Sequence, residues 1–183
     1  MGGLGILWYP TRVSLGGFHG NICLLSATFK VVWFSVGGMI TNVYGPHNDG
    51  DKRDFIKSLW KSQERIPNDH WVVGGDFNLI ASLEEKKGGQ CRMEEECETF
   101  WDTIKELGLV DIIPGEGWFT CSKNRTGETH IASRLDRFLV FEYIVDIGSE
   151  IHSATILGAG SNHWPIELMW SGLGSQFKKT FEF

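Results

Sequence analysis

The sequence predicts an α+β domain in which two packed, mostly antiparallel sheets carry a helix layer outside each. Three observations lead there. Short β-branched and aromatic runs recur between Gly, Pro, Asn and Asp clusters, which is how strands and turns alternate. Two stretches switch from a period of two to a helical period. The most apolar run, Trp71 to Ile80, is broken by charge or amide only at Asp76 and Asn78, so it reads as a central strand that ends in a polar bend.

Taken in order, Gly3 to Tyr9 reads as a buried strand. Asn21 to Thr28, Lys30 to Val36 and Met39 to Tyr44 follow as a meander, with Gly37-Gly38 as the tight turn before the last. Asp51 to Arg65 places Phe55, Ile56, Leu59 and Trp60 on one helical face with charge opposite and Pro67 beyond the end, so this helix is expected to cover a sheet. After the central strand and the Lys86 to Gln90 loop, Met93, Cys97, Phe100, Trp101, Ile104 and Leu107 form a second core-facing stripe, stopped by Gly108. Leu109 to Ile113, Trp118 to Cys121, Ile131 to Val140, Glu150 to Leu157 and Trp164 to Trp170 complete the strands. The domain is expected to span 1–170, with Ser171 to Phe183 as the start of a linker.

A chain of 183 residues holds one domain with a sizeable core. Its formal charge of −6 argues against a protein that coats nucleic acid through general basicity, though not against a nuclease. Much of the acid is local, in Glu84, Glu85, Glu94, Glu95, Glu96 and Glu98, and reads as a solvated face. The four cysteines form no C-x-x-C pair, so reduced thiols and an intracellular location, nuclear or cytoplasmic, are expected, without structural zinc. The apolar stretch from Ile22 to Ile40 contains Lys30 and two glycines and reads as strands; no membrane association is expected.

The chemistry is expected at Gly74-Gly75-Asp76-Phe77-Asn78. Two glycines allow close approach to the backbone, and Asp76 and Asn78 are delivered together at a strand end. Alone, this pattern equally describes an Asx turn. Its company is Thr41-Asn42-Val43-Tyr44-Gly45-Pro46 upstream, and Ser133-Arg134-Leu135-Asp136-Arg137-Phe138-Leu139-Val140 and Gly160-Ser161-Asn162-His163-Trp164-Pro165-Ile166 downstream. In this order the four segments resemble the endonuclease/exonuclease/phosphatase superfamily, and the intervening sequence resembles the endonuclease domain of plant non-LTR (LINE-type) retrotransposon polyproteins, from about Gly3 to Ile166.

The resemblance implies a four-layer α/β/β/α sandwich and a metal-dependent phosphodiesterase. It assigns Asp76 to the attacking water, Asn78 to the scissile phosphate or to holding Asp76, and Tyr44 to a phosphate oxygen. Asp136 and His163 become a carboxylate–imidazole pair. Mg²⁺ or Mn²⁺ is the implied cofactor, with Asp76 and Asn162 at the metal; family members carry Asp where this chain has Asn162. The family's early Asn and its Glu in a Gln-Glu-Thr-Lys-like motif have no counterpart here, so the chain reads as N-terminally truncated and its metal binding as weak or lost. Phe119-Thr120-Cys121 stands where the plant elements carry Phe-Thr-Trp. His19, His47, His70, His130 and His152 match no ligand spacing and are read as incidental.

Three functional expectations follow: a DNA-nicking endonuclease, a non-catalytic remnant with a weak phosphate-binding cleft, or a small-molecule phosphatase. DNA is the implied partner and a reverse-transcriptase domain the implied downstream neighbour. No stretch of the sequence calls for a specific protein partner.

Overall fold

The structure is a computed structural model that describes residues 4–32, 36–66, 70–89, 94–123, 130–146, 150–156, 161–171 and 179–182. Its strands are β1 (Val13–Gly20), β2 (Leu24–Val31), β3 (Gly37–Tyr44), β4 (Trp71–Asp76), β5 (Lys86–Lys87), β6 (Leu109–Ile112), β7 (Cys121–Lys123), β8 (Ile131–Ser133), β9 (Asp136–Phe141), β10 (Glu150–Thr155), β11 (Ile166–Ser171) and β12 (Lys179–Glu182). The helices are α1 (Asp49–Gln63), α2 (Glu94–Glu106) and α3 (Glu142–Asp146).

Alternation along the central strands sets the layers, because neighbouring side chains on a strand face opposite ways. Met39 and Val43 of β3, Trp71 and Val73 of β4 and Leu139 of β9 share one core with Phe55 and Leu59 of α1 and with Phe100 and Ile104 of α2. Ile40, Val72, Phe138 and Val140, one residue out of step, share a second core with Ile166, Leu168 and Trp170 of β11. Among the described residues the layers therefore run helices, six-stranded sheet, three-stranded sheet. The large sheet has the order β1-β2-β3-β4-β9-β6, and the second is β10-β11-β12. Every pairing in the large sheet is antiparallel except β3 with β4, whose parallel connection contains α1, as a crossover requires. A small third sheet, β5-β8-β7, flanks the others.

Several elements differ from the sequence reading. Leu4 to Tyr9 forms no strand: Leu7 is 99% exposed, Ile6 packs on the second core, and the Gly5 carbonyl accepts a hydrogen bond from the Asn42 amide at 3.0 Å. The edge of the large sheet is instead β1, whose three glycines had hidden its pattern. Lys30 and Phe29 belong to β2 and pair with Gly37 and Gly38, so those glycines lie inside β3 and the turn precedes them. Gly38 is required by a close approach, since a Cβ there would strike the His70 carbonyl. Ile131 to Val140 is two strands in two sheets, β8 and β9, broken at Arg134-Leu135. Regular pairing after Trp118 begins only at Cys121. Met93 and Pro67 lie outside the described residues. Lys179–Glu182, within the stretch read as a linker, pairs antiparallel with β11.

Two further corrections concern charge and packing. Trp101 is 44% exposed, at the edge of the α2 stripe rather than in the core. Glu85 is 4% exposed and joins a buried network. Its carboxylate receives Arg134 at 2.7 Å and both ends of the Arg137 guanidinium at 3.0 and 2.7 Å, while Asp111 receives Arg134 at 2.6 and 2.8 Å and Arg137 at 2.7 Å. Arg137 also donates to the carbonyls of Leu79 and Arg134, and Ala81 N–H donates to Glu85. Two cations and two anions close a neutral box that fastens the 79–85 turn to β6 and β9.

Two outcomes are expected from this architecture. Arg137→Ala leaves the Glu85 and Asp111 charges buried and under-compensated, and should cost about 3–5 kcal/mol in urea unfolding; a change below about 1 kcal/mol would show that the box is dispensable. The β1 edge carries no Lys, Arg, Asp or Glu and adjoins the exposed rings of Trp8 and Phe18. Self-association that grows with concentration and is relieved by Phe18→Lys should appear in sedimentation velocity, and a concentration-independent monomer would count against it.

Candidate active site

The site is built by strand register. Tyr44 at the end of β3 stands opposite Asp76 at the end of β4, and Asp76 stands opposite Asp136 at the start of β9. Three adjacent strands thus deliver their polar residues to one end of the sheet. Gly75 has φ +127°, and a Cβ there would meet the Val43 carbonyl, which explains the second glycine of the pair. Asn78 has φ +50°, a conformation Asn tolerates better than most residues. Its backbone N–H donates to Asp76 Oδ1 at 2.9 Å, and its side-chain amide donates to the Gly45 carbonyl at 2.6 Å. Gly45 N–H in turn reaches the Asp76 carbonyl at 2.6 Å. The turns after β3 and β4 are therefore tied together, and the Asn78 amide is engaged in that tie.

Asp136 is held by Thr120, whose buried hydroxyl accepts from the N–H groups of Leu135 at 3.0 Å and Asp136 at 2.9 Å. His163 arrives from the other side. Trp164 N–H binds the Thr120 carbonyl, Ser122 N–H binds the Asn162 carbonyl, and His163 bridges to Cys121. Its Nδ1 lies 3.0 Å from Asp136 Oδ2 and 3.9 Å from Asp76 Oδ2. Nε2 is left as the other ring nitrogen, on a side chain 35% exposed, whereas Asp76 and Asp136 are 11% and 12% exposed.

The electrostatics follow from this geometry. Burial raises the Asp76 carboxyl above its ordinary range, Asp136 raises it further, and the Asn78 N–H, His163 and His47 oppose the shift. His163 is raised chiefly by its hydrogen bond to Asp136, against the effect of burial. Asp76, Asp136 and His163 offer donor atoms all within 4.8 Å of one another, a group that could hold a metal ion. Asn162 is exposed, and the amide of Ser122 holds its backbone in place.

Tyr44 is 44% exposed, with its hydroxyl 3.4 Å from His47 Nε2 and the two rings edge to face. His47, read from the sequence as incidental, therefore stands at the site and acts on Asp76. Its place in a turn after Pro46 carried no spacing that could reveal it. Thr120 was also missed, since one hydroxyl beside an apolar run looks like any strand residue. Of the remaining histidines, His130 bonds Ser122 Oγ at 3.0 Å and His70 stacks on Trp170.

In its fold the chain is similar to the endonuclease domain of TRAS1, a telomere-specific non-LTR retrotransposon, with a TM-score of 0.61 and 15% identity over 85% of this chain and 65% of that one. It has the endonuclease/exonuclease/phosphatase fold. D. rerio TDP2, in complex with a single-strand DNA product, is similar with a TM-score of 0.57 and 15% identity, over 88% of this chain and 70% of that one. A Bacteroides thetaiotaomicron mannosyl-6-phosphatase follows with a TM-score of 0.56 and 13% identity, over 87% of this chain and 67% of that one. This chain spans just under two thirds of the TRAS1 structure. No family model matches the chain, and no curated protein sequence does. The two-sheet sandwich expected from the sequence is the fold found. Among the described residues no helix is long and apolar enough to cross a membrane.

The pair His163–Asp136 makes a direct expectation. In a proton NMR titration His163 should deprotonate above the ordinary histidine value, and Asp136→Asn should bring it down. Because the folded value is raised, the pair's contribution to stability is fully present below the unfolded value near 6.5 and is lost as pH rises through the folded one. An unchanged titration in Asp136→Asn would remove the pairing.

Proposed function

We propose that the chain is a phosphodiester hydrolase of endonuclease type, acting on DNA and derived from a non-LTR retrotransposon, with an impaired metal side. The observation that carries this reading is the convergence of Asp76, Asp136 and His163 at one end of the sheet, with Tyr44 alongside. The likeness to the TRAS1 endonuclease domain and to TDP2 in complex with single-strand DNA product supports DNA as the substrate.

Phosphodiester hydrolysis needs a base for water, donors for the negative charge and a proton for the leaving oxygen. Asp76 takes the water's proton; its raised value makes it a stronger base than an ordinary carboxylate, provided it is ionised. Asp136 orients the imidazole through Nδ1 and keeps it charged, so that Nε2–H donates to a phosphate oxygen. The Tyr44 hydroxyl is a second donor, steadied by His47. Asn78 acts through Asp76, which it fixes from the backbone, and Tyr44, whose following turn it ties down.

A divalent cation fits the donor set loosely. Asp76 and Asp136 supply carboxylate oxygens, while the third donor of the group is the His163 imidazole, and hard Mg²⁺ or Mn²⁺ prefers charged oxygen ligands. When bound, such an ion would neutralise phosphate charge and acidify water. Weak binding is the basis for proposing impairment.

The test is nicking of supercoiled DNA in Mg²⁺. Asp76→Ala and His163→Ala should each lower a slow rate on the order of a hundredfold. The rate should rise with pH as Asp76 ionises and fall again as His163 loses its proton. Calorimetry should show only weak Mg²⁺ binding. Equal nicking by Asp76→Ala would end the catalytic assignment, and a tight isotherm abolished by Asp76→Ala would end the claim of impairment.

A further inference from the structure

Away from the catalytic end, a pocket of about 400 Å³ opens between α2, the 79–85 turn, β6 and the loop before β7. That volume lies in the lower part of the range for ligand sites, roughly 300–1,000 Å³. Its walls are Trp101, Ile113 and Trp118 with Leu109, Val110 and Ala81. These first three are 44%, 54% and 37% exposed. Single exposed apolar residues mean little, but three large ones around one concavity form a patch of the kind that marks an interaction site.

The charges choose the occupant. Glu85 and Asp111 line the floor, but both carboxylates are matched by Arg134 and Arg137, so the floor is neutral overall. Trp118 is held against Arg134, 5.4 Å from guanidinium carbon to ring centre, and its indole N–H leans on the Glu84 carbonyl at 3.4 Å. The rim is acidic. Glu84 adjoins Trp118's contact, Glu116 lies two residues before Trp118, and Glu98 and Asp102 flank Trp101 on α2, all of them exposed. Lys105, over the Trp101 ring at 5.7 Å, is paired with Asp102 at 2.7 Å. Lys86 and Lys87 belong to β5, in the small sheet against β8. A neutral apolar interior inside an acidic rim repels a polyanion and favours an apolar anchor carried between cations.

We propose that this pocket is a docking site for a peptide segment of another protein that presents one aromatic side chain between Lys or Arg residues. The ring enters between Trp101 and Trp118, where indole faces and Ile113 supply contact, and the flanking cations meet Glu84, Glu98 and Glu116. The surface is separate from the Asp76 site, so docking and DNA chemistry do not compete for the same groups.

Calorimetric titration of the full chain with the blocked peptide Lys-Lys-Phe-Lys-Lys tests this. The peptide should bind, more weakly as salt rises. Replacing Phe by Ala, or every Lys by Glu, should weaken binding at least tenfold. Ile113→Ser and Trp101→Ala should do the same while circular dichroism and thermal midpoint stay at the wild-type values; both side chains are exposed, whereas Trp118 is left intact because it packs on Arg134. Absence of binding, equal binding of the Ala or Glu peptide, equal binding by both variants, or occupation of the pocket by a single-stranded oligonucleotide instead would each overturn the proposal.

Discussion

The buried box of Arg134, Arg137, Glu85 and Asp111 is the constraint on which the rest of the molecule depends. Guanidinium groups at 1% and 0% exposure are tolerable only because two carboxylates and three carbonyls surround them. Satisfying them fixes where the chain may go. Arg134 and Arg137 bracket Asp136, so the box sets the start of β9; Glu85 closes the turn that begins at Asn78; Asp111 fixes β6 beside β9. The catalytic end of the sheet is thus the outer surface of a polar core, and the Trp101–Trp118 pocket is its other outer surface. Ion pairs of this depth are weak evidence for stability in themselves. Their use here is to fasten to β6 and β9 a turn whose Leu79 and Ala81 pack on the first core.

Much of the fold was legible, for identifiable reasons. α1 and α2 showed because one helical face must be apolar, and β4 and β9 showed because strands buried on both faces are continuously apolar. The site's core was legible as well: Asp76, Asp136 and His163 were singled out and do come together. What stayed hidden depends on non-local facts. The apolar run after Gly3 looks like a strand but its residues 4–9 form none, while β1, diluted by glycine, pairs with β2. Gly37-Gly38 resembles a turn until the close pass of His70 is known. Glu85 looks like one more surface acid in an acidic stretch, because nothing local says that two arginines fifty residues away will claim it. His47 was invisible for the same reason, as its importance comes from the register that puts Tyr44 beside Asp76.

The same logic separates what fold likeness supports from what the site supports. At 13–15% identity the similarity to TRAS1, TDP2 and the mannosyl-6-phosphatase establishes an architecture that hosts several chemistries. What distinguishes this chain lies in its side chains: an Asp76 carboxyl raised by burial and by the neighbouring Asp136, and a His163 imidazole raised by its hydrogen bond to Asp136.

The break of Ile131 to Phe141 into β8 and β9 makes the Asp136–His163 contact a join between two bodies. Asp136 rides on the large sheet, whereas His163 is moored to Cys121 and Ser122, at the rim of the small one. Their 3.0 Å contact joins the two. Each β5 and β7 pairing with β8 is only two or three residues long, so few ladder hydrogen bonds hold the small sheet together. Lifting it would part the imidazole from its carboxylate while β4, β9 and the cores behind them stay folded. The protonation state of one histidine is then a gauge of whether two sheets are closed.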